Sequence, residues 1–201
     1  MQTVKAGIFT FNETHGDDTN PEARKILRES KQRIWGDQNS FCAITTSSSE
    51  AAVAGFCKPG GNMIGVTGKL CGRIREKIND EYGRWCGYSL AGRDGRELLI
   101  LTAYNVSQEI AAGDDTLYSQ QKSQYLREYN DNGVKTDKEA YIDPKKRFVK
   151  DLRSLLQKAV ERQSDIILIG DFNDVIGESN NALTQLISEF GLIDVHTNKY
   201  G

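Results

Sequence analysis

Short apolar runs alternate with longer stretches in which apolar residues return every third or fourth position. Residues 4–11 are apolar and β-rich and predict a strand ending at Asn12-Glu13. Asn20-Pro21 has the chemistry of an N-cap followed by a first helical residue. From there Ala23, Ile26, Leu27, Ser30 and Ile34 make a helical stripe to about Trp35. Strands are predicted over 41–46 and 63–67, with loops at Ser47-Ser48-Ser49 and Lys58-Pro59-Gly60-Gly61. Residues 84–91 and 97–104 read as two strands of a hairpin, because Gly92-Arg93-Asp94-Gly95 supplies turn chemistry. A polar helix over 116–129 carries Leu117, Tyr118, Gln121, Tyr125 and Tyr129 on one side. Residues 130–143 are expected to form a mobile loop. Asp143-Pro144 opens the clearest helix, with Phe148, Leu152, Leu155, Leu156 and Ala159 as its stripe. A strand over 166–169 and a helix over 180–190, stopped by Gly191, complete the pattern. With no internal repeat and no linker, residues 1–201 read as a single α/β (α+β) domain of two packed sheets flanked by helices.

The balance of 26 basic and 28 acidic residues lacks the basic footprint of a protein that binds nucleic acid by charge alone. It leaves room for an enzyme whose metal carries much of the positive charge. No apolar run reaches membrane-spanning length, and residues 1–10 do not have the pattern of a signal peptide. The expectation is a soluble intracellular protein without a membrane partner, with nucleus or cytoplasm and the oligomeric state left open. Cys42, Cys57, Cys71 and Cys86 stand 14 or 15 residues apart, with no Cys-x-x-Cys pair and two histidines in the chain. They read as reduced thiols packed like small hydrophobes, not as a zinc site. Asn12-Glu13-Thr14 and Asn105-Val106-Ser107 match the glycosylation sequon and, without a secretory signal, read as chance matches.

Candidate chemistry concentrates in Gly170-Asp171-Phe172-Asn173, after the apolar run Ile167-Leu168-Ile169. In extended backbone, residues two apart point the same way, so Asp171 and Asn173 are expected on one face with Phe172 anchored in the core. A carboxylate and a carboxamide at the end of a buried strand suit phosphate chemistry; the same two residues can also simply cap a turn. Gly68-Lys69 invites a phosphate-loop reading. Met63 stands where that loop needs glycine and Leu70 where it needs a hydroxyl, so the segment reads as a turn. Glu13 is either a polar strand end or, held by a strand with Phe9 and Phe11 on its face, a carboxylate able to bind Mg²⁺. Tyr104 closes the strand Leu98-Leu99-Ile100-Leu101-Thr102-Ala103, a common place for an aromatic residue.

Taken together, polar groups at three strand ends, in the order Glu13, Tyr104, Asp171/Asn173, resemble the endonuclease/exonuclease/phosphatase superfamily. That superfamily includes apurinic endonucleases, deoxyribonuclease I-like enzymes and inositol polyphosphate phosphatases. Phe11-Asn12-Glu13-Thr14-His15 is similar to its Gln-Glu-Thr motif with Asn12 for glutamine, and Gly-Asp-Phe-Asn is intact. The hairpin over 85–104 and Gly191-Leu192-Ile193-Asp194 resemble its retrotransposon-type branch. The resemblance implies a four-layer sandwich of the deoxyribonuclease I-like type, using Mg²⁺ or Mn²⁺. It implies Glu13 as metal ligand, Asp171 as the residue orienting and deprotonating water, Asn173 holding that water or the phosphate, and Tyr104 donating to a phosphate oxygen.

Two departures shape the expectation. Only twelve residues precede Glu13, where the family has a further strand bearing asparagine, and no Ser-Asp-His triplet follows. The domain is therefore expected to be incomplete at both ends, with exposed sheet edges inviting self-association. His15 and His196 lack the neighbours of that triplet, and His196 reads as an ordinary exposed or half-buried residue. The resemblance implies a Mg²⁺-dependent phosphodiesterase, a DNA endonuclease from a mobile element. Its alternatives are a non-catalytic fragment or pseudo-enzyme, or a phosphatase of phosphorylated lipid or inositol.

Overall fold

The computed structural model describes residues 7–35, 40–46, 58–107, 116–133, 137–177 and 181–200. Strand β1 (Ile8–Asn12) is followed by α1 (Pro21–Trp35), β2 (Ser40–Thr45) and β3 (Asn62–Thr67). A 3₁₀ turn over Gly68–Arg73 leads into β4 (Ile74–Asn79), β5 (Trp85–Ala91) and β6 (Glu97–Tyr104). Then come α2 (Leu117–Asp131), α3 (Lys138–Ile142), α4 (Pro144–Glu161), β7 (Ser164–Asp171), α5 (Ala182–Glu189) and α6 (Val195–Tyr200). The strands form two sheets, β1-β3-β2 and β4-β5-β6-β7, in which β6 and β7 run parallel and the other pairs antiparallel.

Alternation along β6 explains how the layers stack. Ile100 points at the first sheet, where it meets Ala43, Ile64 and Val66 together with Cys86, Tyr88 and Leu90 of β5. Leu99, Leu101 and Ala103 point the other way, onto Phe148, Val149, Leu152 and Leu156 of α4 and Leu183 and Leu186 of α5. Helix α1 lies over the outer face of the first sheet, across a cleft of about 550 Å³ whose lining includes Phe11, Ile26, Leu27, Ile44 and Met63. The two packed sheets flanked by helices are the architecture the sequence predicts.

Several expectations need correction. Residues 130–143 are not simply a loop: α3 forms there, and Tyr141 joins Tyr129 edge to face with ring centroids 5.5 Å apart. Strand β4 has no counterpart in the sequence reading, because Arg75-Glu76-Lys77 masks an edge strand with Ile74 and Ile78 as its half-buried contacts. The predicted loop Ser47-Ser48-Ser49, Cys57 and residues 1–6 lie outside the described residues. Cys42, Cys71 and Cys86 are free thiols, and burial pushes the Cys86 thiol up to about 12.

Gly170 leaves no room for a side chain between β7 and β6, since a Cβ there would stand 1.9 Å from the Ala103 carbonyl oxygen. Gly170→Ala is therefore expected to destabilise the fold by about 1–3 kcal/mol, the usual penalty for overpacking a site that cannot yield. Urea unfolding measures it, and an unchanged midpoint would mean that the strands part freely.

Candidate active site

The site grows from the carboxyl ends of β6 and β7. Tyr104 and Asp171 are register partners in this parallel pair, so their side chains leave the sheet on the same face. Alternation from Ile100 and Thr102 puts that face toward the first sheet, where β1 ends. Asn12 bridges the sheets: its Nδ2 donates to Asn62 Oδ1 (2.6 Å), to Thr102 Oγ1 (3.1 Å) and to the Ala103 carbonyl (3.0 Å). Asn62 is fully buried and donates in turn to the Gly83 carbonyl at 2.9 Å. This polar rivet fixes the end of β1 over the end of β6, and Glu13 is the next residue.

Glu13 does not continue the strand. Its φ of 51° is left-handed, as is that of His15 at 50°. The Thr14 and His15 amides donate to the carbonyls of Gly61 (3.3 Å) and Gly60 (2.9 Å), which holds the bend. The sequence reading placed Glu13 on a buried strand face with Phe9 and Phe11; Phe11 is instead 52% exposed, and the left-handed residue re-aims the carboxylate. The Tyr104 hydroxyl donates to Glu13 Oε1 at 2.5 Å.

Asp171 and Asn173 also meet by a different route from simple alternation. Strand β7 ends at Asp171 and Asn173 takes φ 45°, so its amide turns back and donates to Asp171 Oδ1 at 3.0 Å. The Asn173 Nδ2 donates to the Asn105 carbonyl at 2.7 Å, and the Asn105 amide donates to the Asp171 carbonyl at 2.9 Å. Phe172 does anchor the segment, edge to face with Phe148 at 6.3 Å between ring centroids. The pair thus closes the turn, as the capping reading expects, while standing beside Tyr104.

Tyr104 ties the four together. Burial, then the hydrogen bond and charge of Glu13 and the charge of Asp171, push its phenol far above the ordinary value, while a hydrogen bond from Asn173 pulls the other way. It is a protonated donor throughout the neutral range. Because the folded-state value is raised, the stability gained from keeping Tyr104 neutral is complete below about pH 10, the unfolded value, and is lost above it. Stability is expected to fall less steeply above pH 10 in Tyr104→Phe than in the unmodified protein, by up to about 1.4 kcal/mol per pH unit. Urea unfolding across alkaline pH measures this, and parallel slopes would contradict it.

Glu13 and Tyr104 line a cleft of about 310 Å³ with His15, Gly60, Ser107 and Tyr118. Among the described residues no three His, Cys, Asp or Glu side chains cluster as a metal cage. Mg²⁺ does not require one: it binds through one or two carboxylates and keeps its remaining ligands as water and substrate phosphate. Glu13, hydrogen-bonded to Tyr104 at the mouth of this cleft, fits that lean donor set. His196 lies on α6, exposed, outside this cleft. The sequence reading missed Asn12 as the rivet, Asn105 as the tie between Asp171 and Asn173, and Lys145, whose Nζ donates to the Asn173 carbonyl at 3.0 Å. Asn12 was signalled by its place beside Glu13; nothing local signals Lys145, 28 residues before its partner.

No protein-family model matches the chain, and no curated protein matches it in sequence. Among solved structures, beta toxin 275-280 from Staphylococcus aureus superposes with a TM-score of 0.42 and 11% identity, covering 96% of this chain and 61% of that one. A β-hairpin deletion mutant of beta toxin from the same organism gives 0.40 and 11%, covering 94% and 61%. Its F277A, P278A mutant with bound magnesium ions gives 0.41 and 12%, covering 94% and 59%. The chain thus spans about three fifths of the length of these structures. Likeness at this level leaves the chemistry to be argued from the site's own geometry.

Proposed function

We propose that this chain is a Mg²⁺-dependent phosphodiesterase of the endonuclease/exonuclease/phosphatase type, acting as a DNA endonuclease of mobile-element origin. One observation carries the catalytic part: a buried Tyr104 is hydrogen-bonded to Glu13 and neighbours Asp171 and Asn173, groups gathered at the ends of three separate strands. The intact Gly-Asp-Phe-Asn motif supports the superfamily, and the hairpin over 85–104 with Gly191-Leu192-Ile193-Asp194, similar to its retrotransposon-type branch, supports the DNA reading.

Glu13 would hold Mg²⁺ together with water and substrate phosphate, and the bound ion would polarise a phosphoryl oxygen and favour departure of the leaving oxygen. Asp171 accepts the proton of the attacking water. Asn173, whose Nδ2 donates to the Asn105 carbonyl, would orient that water or the phosphate through its carboxamide. Tyr104 exchanges its acceptor from Glu13 to a phosphate oxygen as negative charge grows there. A preorganised donor of this kind is worth about 10²–10³-fold in rate.

A second reading, a non-catalytic binding domain, is favoured by the same 2.5 Å bond, which closes Tyr104 and Glu13 on each other. Supercoiled plasmid incubated with the protein in Mg²⁺ or in EDTA separates the two, with phosphate release from phosphorylated inositols measured alongside. Mg²⁺-dependent conversion to open circles without phosphate release is expected. No nicking at micromolar protein favours the binding domain, and phosphate release alone favours a phosphatase.

A further inference from the structure

We infer that Lys145 is a positioning residue: its ammonium clamps the main chain at Asn173 and so aims the Asn173 carboxamide and the Asp171 carboxylate. The catalytic part of this inference rests on the function proposed above. Lys145 sits at the start of α4, where Pro144 fixes the first turn and Asp143 caps it by accepting from the Lys145 amide at 2.9 Å. The amine is therefore delivered from a rigid helix end. Its Nζ donates to the Asn173 carbonyl at 3.0 Å and lies 4.0 Å from Asp174 Oδ2, with the side chain 24% exposed. Its neighbour Lys146 has a 65% exposed side chain and lies 3.9 Å from Asp143, so only the first of the two lysines reaches the turn.

The turn needs holding. Asn173 is left-handed, a conformation that asparagine tolerates better than most residues but that its neighbours must still hold. Three ties keep it there: its amide to Asp171 Oδ1, its Nδ2 to the Asn105 carbonyl, and Lys145 to its carbonyl. Asp174 is braced as well, accepting from Asn181 Nδ2 at 2.7 Å, and Asn181 is the N-cap of α5. Lys145 thus links the starts of α4 and α5 to the two residues that handle the water.

Lys145→Met and Lys145→Arg in the full chain test this. Lys145→Met is expected to lower kcat for plasmid nicking by about 10–100-fold, the usual effect of a small misplacement, with KM unchanged. Lys145→Arg, which keeps a cationic donor, is expected to recover most of that loss. Hydrogen exchange of the Asn173 amide, measured by NMR, reads the clamp without activity. It is expected to rise about tenfold in Lys145→Met while the amides of Leu99 and Leu101 stay as they were, a local opening rather than a global one. Unchanged Asn173 exchange overturns the clamp, and so does a rise in KM at constant kcat, which would make Lys145 a phosphate contact. Faster exchange in a protein that nicks nothing keeps the clamp and removes the phosphodiesterase reading instead.

Discussion

Asp171→Asn is expected to lower Mg²⁺-dependent nicking by about three orders of magnitude or more while leaving the fold intact. The size follows from removing one member of a concerted catalytic set. The specificity follows from the geometry. The substituted carboxamide keeps an oxygen that can accept from the Asn173 amide, so the turn closed by that 3.0 Å bond survives. The main-chain tie, Asn105 amide to the residue 171 carbonyl at 2.9 Å, is untouched. What disappears is a negative charge and a proton acceptor beside Tyr104. Plasmid nicking at matched protein and Mg²⁺ concentrations checks the rate, and urea unfolding checks the fold. Equal nicking by both proteins would remove Asp171 from the mechanism.

Arg84→Met is expected to destabilise the protein by about 3–5 kcal/mol, as breaking a buried ion pair from one side does. Arg84 is 3% exposed. It donates to both oxygens of Asp80 (2.8 and 2.9 Å) and lies 2.9 Å from Asp151 on α4. Its guanidinium also sits 4.8 Å from the ring centre of Tyr82 and 4.4 Å from that of Trp85. Methionine fills much of the volume but leaves Asp80 without its cation and Asp151 with Arg147 alone. Because the Arg84 carbonyl accepts from the Tyr104 amide at 2.8 Å, the loss reaches the base of the site. Arg96→Met is the control: its bond to Asp165 has side chains 64% and 54% exposed, and exposed pairs contribute about 0–1 kcal/mol. Urea unfolding of both variants measures the contrast. Similar losses would show that Arg84 holds the layers no better than a surface pair.

The elements legible in the sequence were those with an unbroken period. The stripe of α4 was plain because one face is buried against another layer, and β5 and β6 were plain as short runs, buried on both faces, either side of the Gly92-Arg93-Asp94-Gly95 turn. Strand β4 was hidden because three consecutive charged residues on an open edge erase the alternation. Helix α3 was hidden because five residues are too short for a periodic signal. The resemblance brought Glu13, Tyr104, Asp171 and Asn173 together as candidates, and the structure places them as neighbours. The way they meet was not readable. Left-handed backbone at Glu13 and Asn173 defeats the rule that residues two apart share a face, and such turns depend on distant partners, Gly60, Asn105 and Lys145.

Titration of isotope-labelled protein with Mn²⁺, followed by NMR line broadening, asks most directly whether these strand ends form one cation site. The amides of residues 12–14, 104–105 and 171–173 are expected to broaden together at the lowest additions, and Glu13→Gln to abolish that first event. Early broadening confined to the exposed carboxylates of α1, Glu22 and Glu29, with 171–173 sharp, would mean that no shared cation site exists.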